Sequence, residues 1–187
     1  MDTKNIQKSI YFQCKRRQQG FMVSNKYLNK WFECDFISIS KSDYLTEYEI
    51  KISKSDFKRD FIDKQIKHVW LNGVRTGEVI TEDYIIVDKP TPPKDDPPYV
   101  ARRYHKMDPF HGPNYFYYVC PENLIKIEEI PKYAGLIYII ETKTNVGKLQ
   151  FIKKAPLLHK IKTTEETKNG INVKYMYDYW KHTYEQK

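Results

Sequence analysis

Residues 31–51 read WFECDFISISKSDYLTEYEIK. Two apolar, strand-like runs flank Lys41-Ser42-Asp43, a triplet with turn chemistry, so the stretch is predicted to fold as a hairpin. Side chains alternate faces along a strand, which sets Glu47, Glu49 and Lys51 on one side and Tyr48, Ile50 and Ile52 on the other. Asp35 precedes Glu49 by fourteen residues and lies on the partner strand. Carboxylates crowded on one face repel one another unless a hard cation or a lysine sits between them. The plain alternative is an ordinary surface ion pair, which contributes little to stability.

Working outward, Asn5 to about Gln18 carries Ile6, Ile10, Tyr11 and Cys14 at helical spacing, stopped by Gln19-Gly20, and is expected to cover the sheet. Phe21-Met22-Val23 is a short apolar run. Ser53-x-x-Asp56 is close to a capping box. It opens one amphipathic helix with Phe57, Phe61, Ile62, Gln65, Ile66 and Val69, ending near Asn72-Gly73, while Lys58, Lys64, Lys67 and His68 ride on its polar side. Ile85-Ile86-Val87 is a strand candidate. Seven of the ten prolines fall between Pro90 and Pro113, which predicts an extended loop because proline removes donors and restricts the backbone. Asn114–Val119 is an aromatic strand ended by Pro121, and Ala134–Ile140 is apolar throughout, as a strand buried on both faces must be. Asn172 to about Thr183 reads as a terminal helix, with Met176, Trp180 and Tyr184 in one stripe expected to pack.

A chain of 187 residues is long enough for one domain with a real core, so residues 1–187 are read as a single unit with a proline-rich insertion at about 90–113. Lys and Arg outnumber Asp and Glu by 32 to 24, a net charge of +8 that favours an anionic partner. Cys14, Cys34 and Cys120 show no C-x-x-C spacing, which argues against a disulfide framework or a zinc ribbon and fits a reducing compartment. No stretch has the length and apolarity of a signal peptide core or a bilayer span, so a soluble, cytoplasmic protein without a membrane partner is expected. No residue pattern sets an oligomeric state.

Four blocks carry a family resemblance: WFECDFISISKSDYLTEYEIKISKSDFKRDF (31–61), GPNYFYYVCPENLI (112–125), EIPKYAGLIYII (129–140) and KKAPLLHK (153–160). In this order they resemble the PD-(D/E)XK, or restriction-endonuclease-like, nuclease superfamily, and more narrowly its small single-domain bacterial and phage members. The resemblance implies an α/β fold with a central mixed sheet flanked by helices. It also implies DNA processing or repair in a bacterial cell or phage-infected host, by Mg²⁺- or Mn²⁺-dependent phosphodiester hydrolysis leaving 5′-phosphate and 3′-hydroxyl ends. By the same resemblance Asp35 and Glu49 hold the metal together with the main-chain carbonyl of Ile50, and Lys51 orients the attacking water and stabilises charge on the phosphate. DNA is the expected partner, although the chemistry would serve RNA as well.

Relatives often carry an acid in the first helix, whereas residues 3–32 here contain no Asp or Glu. Gln7 or Gln13 would be a weak substitute, and this departure favours one metal over two. Glu47 shares the face of Glu49 and is read as a solvated side chain or a ligand for a second ion; Glu33 shares the face of Asp35. Lys64, Lys67 and His68 on the following helix, and Arg102 and Arg103 in the proline-rich segment, are candidates for nucleic-acid contact, with Tyr104 available to stack on a base. His105-x-x-Asp108-x-x-His111 lacks a nearby fourth ligand and reads as a polar loop. Of Tyr115, Phe116, Tyr117 and Tyr118, alternation sends half to the core and leaves half for stacking. Two rival readings stand beside the nuclease: a nucleic-acid-binding module without turnover, and a structural or partner-binding protein on the same fold.

Overall fold

The computed structural model describes residues 1–17, 19–29, 32–76 and 112–184. The expected strand at 85–87, most of the proline-rich segment, and Arg102, Arg103, Tyr104, His105, Asp108 and His111 lie outside the described residues. Among the described residues the chain runs α1 (Thr3–Arg16), β1 (Phe21–Asn29), β2 (Phe32–Ile39), β3 (Leu45–Ile50), α2 (Lys54–Asp63), α3 (Gln65–Thr76), β4 (Tyr115–Pro121), β5 (Ala134–Ile140), β6 (Lys148–Lys153) and α4 (Glu165–Tyr184).

Among the described residues six strands form one mixed sheet in the order β1-β2-β3-β4-β5-β6. The pairs β1/β2, β2/β3 and β5/β6 are antiparallel, while β3/β4 and β4/β5 are parallel. The predicted β2/β3 hairpin is present, with Phe36 opposite Tyr48 and Ile39 opposite Leu45. Its turn closes through Asp43 N–H to Ser40 O (3.0 Å), and Asp43 has a φ of 64°, a conformation that Asp tolerates better than most residues.

Both faces of the sheet are covered. On one side Ile6, Ile10 and Cys14 of α1 pack on Phe36, Tyr48, Ile50, Tyr117, Val119 and Ile137. On the other, Phe57 of α2 and Trp70 and Leu71 of α3 pack on Phe116, Tyr118, Cys120, Leu136 and Tyr138. Phe116, Tyr117 and Tyr118 are therefore all buried, and the stacking half expected of this strand does not exist, because helices occupy both sides of it. Gly135 on β5 is required by close approach: a Cβ there would stand 2.4 Å from Tyr117 Cε1 and 2.6 Å from the Ala155 nitrogen.

Three expectations are corrected. The single helix after Ser53 is two, α2 and α3, broken where Lys64 takes φ −118°, ψ 34°. Ser53 caps α2 as predicted, accepting from the Asp56 amide at 3.1 Å. The break alters which side faces inward: Ile62 is 61% exposed and Val69 is exposed, whereas Asp60, Lys67 and His68 are buried against the sheet. The terminal helix begins at Glu165, turns Ile171 and Lys168 inward, and leaves Met176 and Trp180 exposed with Tyr175, Tyr177 and Tyr179. Finally, β6 and most of β1 had no counterpart in the reading of the sequence. Among the described residues each has a neighbour on one side only, so neither needs the unbroken apolar run that marks β5.

Candidate active site

The hairpin, the parallel strand β4 and the α2/α3 crossover meet at the C-terminal end of β3. Open sheets with parallel strands leave a crevice at such carboxyl ends, where ligands commonly bind. Phe36 opposite Tyr48 is the last rung of the β2/β3 ladder, and the next would set Asp35 opposite Glu49. Instead the Asp35 carboxylate turns to the strand end and accepts the Ile50 amide through Oδ2 at 2.7 Å. Asp35, Glu49, Ile50, Lys51, Asp60 and Lys64 line a cleft of about 310 Å³ there.

Glu49 is almost wholly buried, and both its oxygens are engaged. Oε1 accepts from Lys51 Nζ (3.1 Å) and Lys64 Nζ (2.5 Å), and Oε2 from Lys67 Nζ (2.8 Å). Lys51 Nζ also donates to Asp60 Oδ1 at 2.7 Å, and Asp56 Oδ1 stands 3.9 Å away at the rim. An ammonium has three donors, so one remains for a ligand in the cleft. Lys67 Nζ is enclosed between Glu49 and Glu47, the latter contact being an ion pair without the alignment of a hydrogen bond. The same ammonium lies 5.1 Å from the Phe116 ring centroid.

Behind Lys51 stands Asp60, whose part had no reading in the sequence. Its Oδ2 accepts from the Tyr118 hydroxyl at 3.1 Å and lies 3.0 Å from His68 Nε2, while His68 Nδ1 lies 2.6 Å from the Tyr133 hydroxyl. A signal was present in the spacing: 60, 64, 67 and 68 fall on one helical stripe, and the first ion-pairs to Lys64 at 3.4 Å across one turn. Charged residues on the stripe that includes Phe57 are expected only where buried partners await them.

The electrostatics follow from these partners. Burial works against the Glu49 charge, but Lys67, Lys64 and Lys51 together outweigh it and hold its pKa below the usual carboxylate range. Asp60 is likewise buried yet held low by His68, Lys51 and Lys64. Lys67 is pushed well above the ordinary lysine value, because Glu47 and Glu49 overcome the effect of burial. Asp35 differs. Burial, then the neighbouring Glu49 charge, raises it to about 6, and the Ile50 amide offsets only part of this. Among the described residues no ammonium comes within ion-pair distance of Asp35.

No protein-family model and no curated protein matches this chain. A solved structure does: the SPO1766 protein of unknown function from Silicibacter pomeroyi is similar to it with a TM-score of 0.54 at 10% identity, covering 98% of this chain and 89% of that one. The likeness is one of fold alone.

The residues read from the sequence thus divide. Asp35, Glu49, Ile50 and Lys51 come together at the cleft, and Lys64 stands half-buried at its edge. Lys67 and His68 lie beneath it, paired to carboxylates, with no surface to offer a phosphate. Glu47 is buried rather than solvated, and Glu33 is exposed. Gln7 donates to the Asp35 main-chain oxygen (2.9 Å) and to Asn25 Oδ1 (3.1 Å), which fixes the strand that carries Asp35.

A divalent cation can be tested against this donor set. Among the described residues no three His, Cys, Asp or Glu side chains form a metal-holding group. A cage is not required, because Mg²⁺ keeps several waters and is commonly held by one or two carboxylates. Asp35, Glu47, Glu49, Asp56, Asp60 and Asp63 bring six carboxylates against the four cationic groups of Lys51, Arg59, Lys64 and Lys67, leaving two negative charges in excess. The excess lies on the side of Asp35, the carboxylate without an ammonium partner, and Glu49 is its neighbour in the cleft. Asp35 is thus open to a hard cation as it stands, whereas Glu49 would join it only by giving up a lysine, since Lys51, Lys64 and Lys67 take both its oxygens.

Proposed function

We propose that this chain is a metal-dependent nuclease on a restriction-endonuclease-like fold, hydrolysing phosphodiester bonds in DNA with Mg²⁺ or Mn²⁺. The observation that carries the reading is the cleft shared by Asp35, Glu49 and Lys51, with Lys51 gripped by Glu49 and Asp60. The mixed sheet with helices on both faces is in keeping with it. Asp35 and Glu49 would hold the ion, and the Ile50 carbonyl is assigned as a third donor by the family resemblance. When bound, such an ion supplies acidification of a water and neutralisation of charge on a phosphate oxygen.

The remaining work falls to the protein's own groups. Glu49 and Asp60 hold the Lys51 ammonium in the cleft, where it would supply fixed positive charge to a bound phosphate without reorganising. Lys64, on the cleft edge, is long enough to leave Glu49 for a backbone phosphate. The engagement of both Glu49 oxygens by lysines favours a second reading, in which the fold binds nucleic acid without turnover.

Incubation of single- and double-stranded DNA with the protein in Mg²⁺ or Mn²⁺, against EDTA and against Glu49→Ala and Lys51→Ala, separates these. Metal-dependent cutting abolished by both substitutions supports the nuclease. Binding without cutting selects the second reading, and neither binding nor cutting selects a structural role.

A further inference from the structure

Glu47 and Glu49 are two residues apart on one face of β3, and both are buried. Two buried carboxylates in that relation repel each other unless a positive charge stands between them. Here the bridge is a side chain: Lys67, with 2% of its side chain exposed, reaches from α3 to touch Glu47 Oε1 and lies 2.8 Å from Glu49 Oε2. Phe116 supplies a third wall with the face of its ring.

We propose that Lys67 is a resident replacement for a second divalent cation, so that the site takes a single ion. This rests on the reading that Glu49 holds a metal. The geometry gives the ammonium the place that a bridging ion would occupy between these two carboxylates, and its burial prevents exchange with solvent ions. An ammonium provides one fixed positive charge but no open coordination position, so it offers nothing to a phosphate oxygen or a water. Its part is to keep Glu47 and Glu49 together and their charge matched. Charge on the leaving oxygen must then be met from the cleft side, by Lys51, Arg59 or Lys64.

Counting bound Mn²⁺ on the full-length protein tests this, by electron paramagnetic resonance of free Mn²⁺ during titration. Three proteins are compared: the unaltered chain, Lys67→Met, and Lys67→Met combined with Glu47→Gln. Methionine keeps the length and the contact with Phe116 while removing the charge. One ion is expected in the unaltered chain, two in Lys67→Met, and one in the double variant, whose Glu47 no longer carries charge. Should Lys67→Met fail to fold in EDTA, Mn²⁺ is expected to restore a cooperative unfolding transition, and failure to fold with Mn²⁺ as well overturns the proposal. Two ions in the unaltered chain, or one in both it and Lys67→Met, refute the replacement while leaving the reading that Glu49 holds a metal standing. No ion in the unaltered chain removes that reading and the inference with it.

Discussion

The Ile50 amide donates to Asp35 Oδ2 at 2.7 Å, and this bond, together with weaker attraction from Lys64 and Lys51, is what the fold gives Asp35 against burial and the Glu49 charge. Its folded pKa of about 6 stands above the ordinary 3.8, the reverse of a salt-bridged carboxylate. Well below pH 3.8 the group is protonated in both folded and unfolded chains and has no effect. As pH rises from about 4 to 6 the unfolded chain releases this proton first, and a cost to folding of up to about 3 kcal/mol develops and then stays level. Asp35→Asn is therefore expected to be the more stable protein at pH 8 in EDTA, by about 1–3 kcal/mol, with the difference largely gone near pH 4. Urea unfolding at the two pH values checks this.

Lys64 competes for Glu49 Oε1, a position that the proposed cation also needs. Removing a partly exposed ammonium at this range relieves on the order of 1 kcal/mol of competition, so Lys64→Ala is expected to bind Mn²⁺ about fivefold more tightly. The same substitution is expected to weaken DNA binding. Calorimetric titration with Mn²⁺ and a DNA-binding measurement in Ca²⁺ give the two halves of the result.

Asp60 joins Lys51 to the Tyr118 and His68 network. Truncation to alanine leaves Lys51 and its neighbours unmatched in a buried setting, at an expected cost of about 3–5 kcal/mol. Asp60→Asn keeps the shape and one of the two acceptor oxygens but not the charge, and should fold, with kcat lowered and KM for DNA little changed, because Lys51 loses the charge that anchors it while the protein keeps its DNA contacts. Denaturant curves and steady-state kinetics distinguish the two effects.

Gly135 is predicted to be intolerant of a methyl group. Gly135→Ala drives a Cβ against the Tyr117 ring and the Ala155 backbone, and the ring can move only by disturbing its stack on Tyr48. A loss of about 1–3 kcal/mol is expected in thermal or urea unfolding.

The hairpin and the facing of Glu47, Glu49 and Lys51 were legible because the strand period is short and the turn residues are unambiguous. The apolar run of β5 was legible for the same kind of reason: burial on both faces leaves no polar alternation. The α2/α3 break was not. A helical pattern through 53–73 treats lysines as solvent-facing, whereas here Lys67 and Lys64 meet carboxylates that lie eighteen and fifteen residues earlier on β3. Pairing of that kind is set by tertiary packing and leaves only a weak local trace, the stripe of Asp60, Lys64, Lys67 and His68. The exposed aromatics of α4 misled in the opposite direction, since spacing alone does not say which side of a helix is buried.

Cleavage of a labelled DNA duplex by the unaltered chain and by Glu49→Gln, purified alike and assayed with Mn²⁺ and with EDTA, decides whether Glu49 serves a metal-dependent hydrolysis. Mn²⁺-dependent cutting by the unaltered chain, reduced at least a hundredfold in Glu49→Gln at full DNA occupancy, is the predicted result, about 3 kcal/mol of transition-state stabilisation. Equal cutting by the two proteins, or none by either while DNA is bound, would contradict it.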